Sequence, residues 1–182
     1  MRVVSGSARG LRLSAPRGFD VRPTGDMVKQ AVFNIIRASL GGARVLDLFS
    51  GTGQLGIEAL SCGAESCVFV DSSRASLGLT RKNVEAARFD ARAELVLSDA
   101  LAYIRRAGRF DVVFSDPPYN EGLLAPVLTE IIEFDILKER GIIVCESRAG
   151  LRMPEVPPPY EKLREYKYGG VKITIYSKEV TV

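Results

Sequence analysis

Histidine and tryptophan are absent from this 182-residue chain, and cysteine occurs only three times, at Cys62, Cys67 and Cys145. Without histidine there is no imidazole base or ligand, and the cysteines do not fall at metal-ligand spacing, so no metal partner is expected. Reduced, buried thiols in a cytoplasmic protein are the expectation for all three. Chemistry must therefore come from carboxylates, backbone groups, aromatic faces or a cofactor. Long apolar runs are missing too. Nothing approaches the roughly 18 residues of a membrane span, and the first 22 residues hold no apolar block of signal-peptide length. The expectation is a soluble chain with no membrane partner. Hydrophobic residues make up 46% and charged residues 26%, a globular composition. The length suits one domain over residues 1–182.

Acidic residues are scarce at the beginning. Residues 1–22 contain Arg2, Arg9, Arg12, Arg17 and Arg22 against Asp20 alone, which outweighs the whole chain's net charge of +3. A cationic arm or hairpin on a near-neutral body points to a polyanion such as RNA. The competing reading is a solubilising terminus.

After the arm, "TGDMVKQAVFNII" places Met27, Val28, Ala31, Val32, Ile35 and Ile36 at helical spacing, with Thr24 or Asp26 as cap. Strands and helices then alternate. "RVLDLF", "SCVFVD", "AELVLSD", "FDVVFSD" and "GIIVCES" read as strands. Between them, "QLGIEALSC", residues 73–88, "ALAYIRRA" and residues 123–134 read as helices. Such alternation predicts an α/β fold with a parallel, doubly wound sheet. The proline-rich "RMPEVPPPY" breaks the rhythm, and "KLREYKY", Gly169-Gly170 and "VKITIYSKE" predict an antiparallel β-hairpin at the end of the sheet.

"VLDLFSGTGQLG" spaces Gly51, Gly53 and Gly56 as the glycine loop of a nucleotide-binding βα turn. Asp47 stands at the end of the preceding strand, where a carboxylate would repel a pyrophosphate. A cofactor with a cationic amino-acid end removes that conflict. S-adenosylmethionine carries an ammonium, a carboxylate and a sulfonium but no phosphate, so glycines admit its close approach and helix-start amides face its carboxylate. Asp71, 20 residues beyond Gly51, suits a ribose diol, although by itself it fits NAD equally well. Asp99, followed by Ala100, ends the third strand and either reads an adenine amine or caps the next helix. The terminal hairpin also departs from the usual dehydrogenase layout.

The fourth strand ends in "SDPPYN". Two prolines fix an extended backbone and remove two amide donors. That leaves the Asp116 carboxylate and the bare carbonyls of Pro117 and Pro118 as acceptors for an exocyclic amine, with Tyr119 as a platform for a base.

Asp-Pro-Pro-Tyr is the signature of amino-group methyltransferases acting on adenine N6 or guanine N2. In order, "MRVVSGSARGLRLSAP", "RPTGDMVKQAVFNII", "VLDLFSGTGQLGIEALSCGA", "DPPYN" and "YGGVKITIY" resemble the RsmD-type bacterial 16S rRNA (guanine-N2)-methyltransferases. The resemblance covers essentially the whole chain. It implies a Rossmann-like methyltransferase fold with a seven-stranded, mostly parallel sheet in the order 3-2-1-4-5-7-6. It also implies methyl transfer from S-adenosylmethionine to a guanine of 16S ribosomal RNA, free or in a small-subunit particle. Asp116, Pro117, Pro118 and Tyr119 would be catalytic. Thr24, Asp47, Phe49, Gly51, Gly53, Asp71, Ser72, Asp99 and Ala100 would hold the cofactor, and the five arginines of residues 1–22 would meet RNA. The sequence departs from the family at Gly25-Asp26-Met27, where Thr-Asp-Arg is commoner, so no RNA or cofactor role is carried over to Met27. The rival readings are an adenine-N6 methyltransferase, a catalytically inactive nucleic-acid-binding relative and a dehydrogenase.

Overall fold

The computed structural model describes residues 1–15, 23–118 and 122–180, with backbone alone at Pro23 and Thr24. The first helix, α1 (Pro23–Ile35), precedes β1 (Arg44–Asp47), α2 (Gln54–Ser61), β2 (Ser66–Asp71), α3 (Arg74–Ala87) and β3 (Ala93–Leu97). Then follow α4 (Ala100–Ile104), β4 (Phe110–Ser115), α5 (Leu124–Glu133), β5 (Leu137–Arg148), β6 (Tyr160–Tyr168) and β7 (Val171–Lys178). One sheet joins all seven strands in the order β3-β2-β1-β4-β5-β7-β6. The first five are parallel, and β7 runs antiparallel to both β5 and β6. The expected doubly wound sheet and terminal hairpin are both present. No described helix is long and apolar enough to cross a membrane.

Two boundaries differ from the sequence pattern. α1 starts at Pro23, so Thr24 and Asp26 lie in its first turn instead of at its cap. Proline suits that start because the first amides of a helix have no intrahelical partner. β5 begins at Leu137, five residues before the apolar run Ile142–Cys145. The polar stretch Lys138-Glu139-Arg140 hides its early part.

Both faces of the sheet are covered. Val28, Val32 and Phe33, with Ile36 just past the helix end, form an apolar stripe that buries α1 on one face, with α2 and α3 beside it. Val127, Leu128 and Ile131 of α5 pack on the other face with α4. Strand alternation sorts the residues between them: Val112 and Phe114 face α1, whereas Val113 faces α5.

Residues 1–13 form a hairpin folded onto the α1/α2 face. Val3 donates to the Leu11 carbonyl at 2.9 Å, Leu13 donates to that of Met1 at 3.1 Å, and both side chains are buried. The fully buried Glu58 of α2 accepts from the amides of Val4 and Ser5 and pairs with Lys29 of α1 at 3.4 Å. Burial raises the Glu58 pKa, against the lowering effect of those amides and of Lys29. Asn83 of α3 fastens the end of the hairpin: its Oδ1 accepts from Ser14 N at 2.7 Å and its Nδ2 donates to Ser14 O at 3.0 Å. Residues 1–14 of the predicted arm are thus seated on the domain through a buried ion pair and amide bonds.

Candidate active site

The glycine loop connects β1 to α2, and its shape follows from where side chains cannot fit. Gly53 caps α2 at φ 78, a left-handed conformation that disfavours any Cβ. A Cβ on Gly56 would lie 2.2 Å from the Phe69 ring and 2.7 Å from Cys67 Sγ. Its absence lets α2 close onto β2, as the third glycine of such loops does. Two carboxylates fasten the loop. Asp47 Oδ2 accepts from Gly56 N at 3.0 Å, and Asp71 Oδ2 accepts from Gly51 N at 2.8 Å while its Oδ1 accepts from Ser73 N at 2.8 Å. From α3, Thr80 donates to Gly51 O at 3.1 Å and Asn83 donates to Thr52 O at 2.8 Å.

Asp47 is only 2% exposed. Burial pushes its carboxyl up to about 7, with the Gly56 amide lowering it and nearby Asp71 raising it further. Asp71 is half-buried, and each of its oxygens keeps lone-pair capacity beyond the one amide it accepts. Asp99 is exposed and caps α4 by accepting from Ala102 N at 2.9 Å, so the helix-cap role is present in the structure. Ser72 is exposed, Phe49 half-buried and Ala100 buried. Residues 48–56 carry no basic side chain, and the two carboxylates against the loop, Asp47 and Asp71, suit a cationic ligand better than a pyrophosphate.

Asp116 follows directly on β4, with Pro117 buried and Pro118 exposed behind it. It borders a cleft of about 860 Å³. Val28, Lys29 and Val32 of α1 wall one side, and Gln54 and Leu55 at the start of α2 join the cleft to the glycine loop. The floor is laid out in rows by strand register. Asp47, Phe114, Val144 and Ile175 adjoin across β1, β4, β5 and β7. Two residues onward, Glu146 of β5 lies beside Ile173 of β7, and then Arg148 lies beside Val171. Since Ser115 pairs with Cys145, Asp116 stands next to Glu146. Burial, then the charge of Glu146 and then that of Asp47, push the Asp116 carboxyl well above the ordinary carboxylate range. Once ionised, a carboxylate with a raised pKa is the stronger base toward an N–H that becomes acidic during reaction.

Of the residues expected at the site, the structure brings together Asp47, Gly51, Gly53, Asp71 and Asp116. Tyr119, Arg17 and Arg22 lie outside the described residues, as does the side chain of Thr24. Arg2 bonds Asp26 at 3.0 Å, whereas Arg9 and Arg12 are exposed on the hairpin. Lys29, Glu146, Arg148 and the loop-holding Thr80 and Asn83 were not singled out. The one available signal was polar residues inside otherwise apolar periodic stretches: Lys29 in α1, Glu146 after "IIVC" and Thr80 with Asn83 in α3.

A sheet of this order, with a glycine loop after β1 and an acidic residue at the end of β2, defines the Rossmann-like methyltransferase fold. Residues 1–177 match the family described as Conserved hypothetical protein 95, and the chain belongs to that family, the RsmD family that its sequence resembles. It is 39% identical to "Putative rRNA methyltransferase YlbH" of Bacillus subtilis, covering 98% of this chain and 99% of the relative. It is 31% identical to "Ribosomal RNA small subunit methyltransferase D" of Escherichia coli K12, covering 98% and 90%. The solved "Putative methyltransferase yhhF from Escherichia coli" superposes with a TM-score of 0.88 at 28% identity, covering 100% and 99%.

Proposed function

We propose that this chain is a cytoplasmic, S-adenosylmethionine-dependent methyltransferase acting on the exocyclic N2 amine of a guanine in 16S ribosomal RNA. The observation that carries the reading is Asp116, held at the carboxyl end of β4 in a cleft that opens beside the start of α2. Kinship with the ribosomal RNA methyltransferases supports the polymer and the reaction class. When bound, S-adenosylmethionine supplies an activated methyl group on a sulfonium. Asp71 would accept its ribose hydroxyls, Gly51 and Gly53 would give it room, and Asp47 would face its ammonium through water. Ser72, Ala100, Phe49 and Asp99 border the same end of the sheet.

Guanine N2 is a weak nucleophile because its lone pair is delocalised into the ring. Asp116 would accept one N–H of the amine and the Pro117 carbonyl the other, which draws the nitrogen toward the tetrahedral geometry it needs for attack. As the nitrogen becomes positive, Asp116 stabilises that charge and is placed to take its proton. These acceptors are fixed before reaction, so they favour the transition state over the planar ground-state amine. Tyr119 would stack on a base that has left the RNA helix, keeping its amine in line. The exposed Arg9 and Arg12, with Arg17 and Arg22, would contact phosphates and set the register. Mass mapping of methylated nucleosides in 16S RNA from a strain lacking this protein tests the reading. Loss of one N2-methylguanosine, restored by the parent gene and not by an Asp116→Ala copy, is expected. Loss of N6-methyladenosine instead would replace guanine by adenine, and an unchanged map would remove the assignment.

A further inference from the structure

The cleft holds a second carboxylate that the mechanism above does not use. β4 and β5 are adjacent and parallel, with Phe114 opposite Val144 and Ser115 opposite Cys145. Carried one residue past the end of β4, that register sets Asp116 beside Glu146, close enough for the charge of one to act on the other; neighbouring strands lie about 4.8 Å apart. Alternation turns both to the face that carries Phe114 and Val144, and both border the cleft under α1. Directly across from Glu146 on β7 is the apolar Ile173. Lys29 on the α1 wall is bonded to Arg2 O and paired with Glu58, and Arg148 borders the cleft two residues beyond Glu146 on the same strand. The cleft offers two neighbouring carboxylates, each with several lone pairs, beside the apolar Ile173.

Guanine presents a matching edge, with the N1–H and the N2 amine side by side as donors. Adenine places an N1 lone pair beside its amine. We propose that Glu146 is a specificity-determining residue that accepts the N1–H of the target guanine while Asp116 accepts from its N2 amine, an inference that rests on the guanine-N2 reading above. The edge of a flipped base is read by such hydrogen bonds, and a site built for an N–H rejects an analogue lacking it because a carboxylate is then left facing a lone pair. The proximity of two acids fits this use: a ligand that donates to both relieves their mutual repulsion, which adds to burial in pushing the Asp116 carboxyl up.

The test uses synthetic RNA carrying, at the mapped target position, either guanosine or 2-aminopurine riboside. The analogue keeps the 2-amine but has a bare N1. The parent protein should methylate guanosine at least about tenfold faster in single turnover, the scale of one hydrogen bond to a charged acceptor. Glu146→Gln can either accept at or donate to N1, and should bring the ratio to within about threefold of unity. Each ratio is internal to one protein, so partial misfolding of the variant cancels, and comparing parent with variant cancels the analogue's missing O6. An unchanged ratio in Glu146→Gln, or a parent indifferent to the analogue, would overturn the role of Glu146 while leaving guanine-N2 methylation standing. A parent that leaves the guanosine RNA unmethylated at N2 would overturn both.

Discussion

Asp47→Asn, measured as thermal stability against pH, probes the buried carboxylate under the glycine loop. The Asp47 carboxyl is raised from an ordinary 3.8 to about 7, chiefly by burial. At about 1.36 kcal/mol for each pKa unit, the full difference corresponds to roughly 4 kcal/mol. For an acid whose folded pKa is raised, the native state holds the proton more tightly than the unfolded chain does. Its stability contribution is complete below about pH 4 and is lost as pH rises toward 7. About 1.5 kcal/mol is gone by pH 5, and the rest disappears by pH 8. Asparagine keeps an acceptor for Gly56 N and does not titrate. The variant should therefore gain roughly 2–3 kcal/mol on the parent between pH 5 and pH 8. That is about 5–10 °C in relative Tm for a chain of this size. Other titrating groups cancel because both proteins share them. A gap between the two melting curves that stays constant with pH would refute the reasoning. With S-adenosylmethionine present the advantage should reverse, because a neutral amide at position 47 no longer offsets the ligand's ammonium; calorimetry should show weaker binding.

Asp71→Ala should weaken S-adenosylmethionine binding by about 1–3 kcal/mol in calorimetry, the scale for hydrogen bonds to a charged acceptor, and unchanged affinity would move the ribose elsewhere. Replacing Arg9, Arg12 and Arg17 with alanine should leave cofactor affinity intact and flatten the salt dependence of RNA binding by about 0.7–0.9 for each phosphate no longer neutralised; identical slopes would return the hairpin to a solubilising role. Asp116→Ala should lower the single-turnover rate about a hundredfold with RNA affinity little changed, whereas Tyr119→Phe should be tolerated. The parent's rate should climb as pH rises through the elevated Asp116 pKa, and a flat profile would show that its ionisation does not matter. Glu58→Ala should cost about 3–5 kcal/mol, because it leaves Lys29 buried without its anion and frees the amides of Val4 and Ser5. Hydrogen exchange across residues 1–13 would reveal the loosened hairpin, and unchanged protection there would contradict it.

Much of the fold was legible because its signals are local. Alternating apolar runs mark the strands, Ser73 and Asp99 cap the helices they precede, and Gly169-Gly170 turns the final hairpin. Glycine spacing and the two prolines after Asp116 report backbone demands that few other residues meet, so the loop and the amine-binding motif stand out from sequence. Asp99 shows the limit of such signals, since capping and ligand recognition ask for the same residue at the same place.

By itself, the sequence determined the order of elements, the glycine loop, the family and the acid after β4, because each depends on neighbours within a few residues. Only the tertiary structure decided which polar residues meet. Glu146 reaches Asp116 through the register of two parallel strands that are distant in sequence, and Glu58 meets both the hairpin and Lys29 through helix packing. The raised pKa values of Asp47 and Asp116 belong to that same level, because burial removes water from a carboxylate only once distant segments have closed around it.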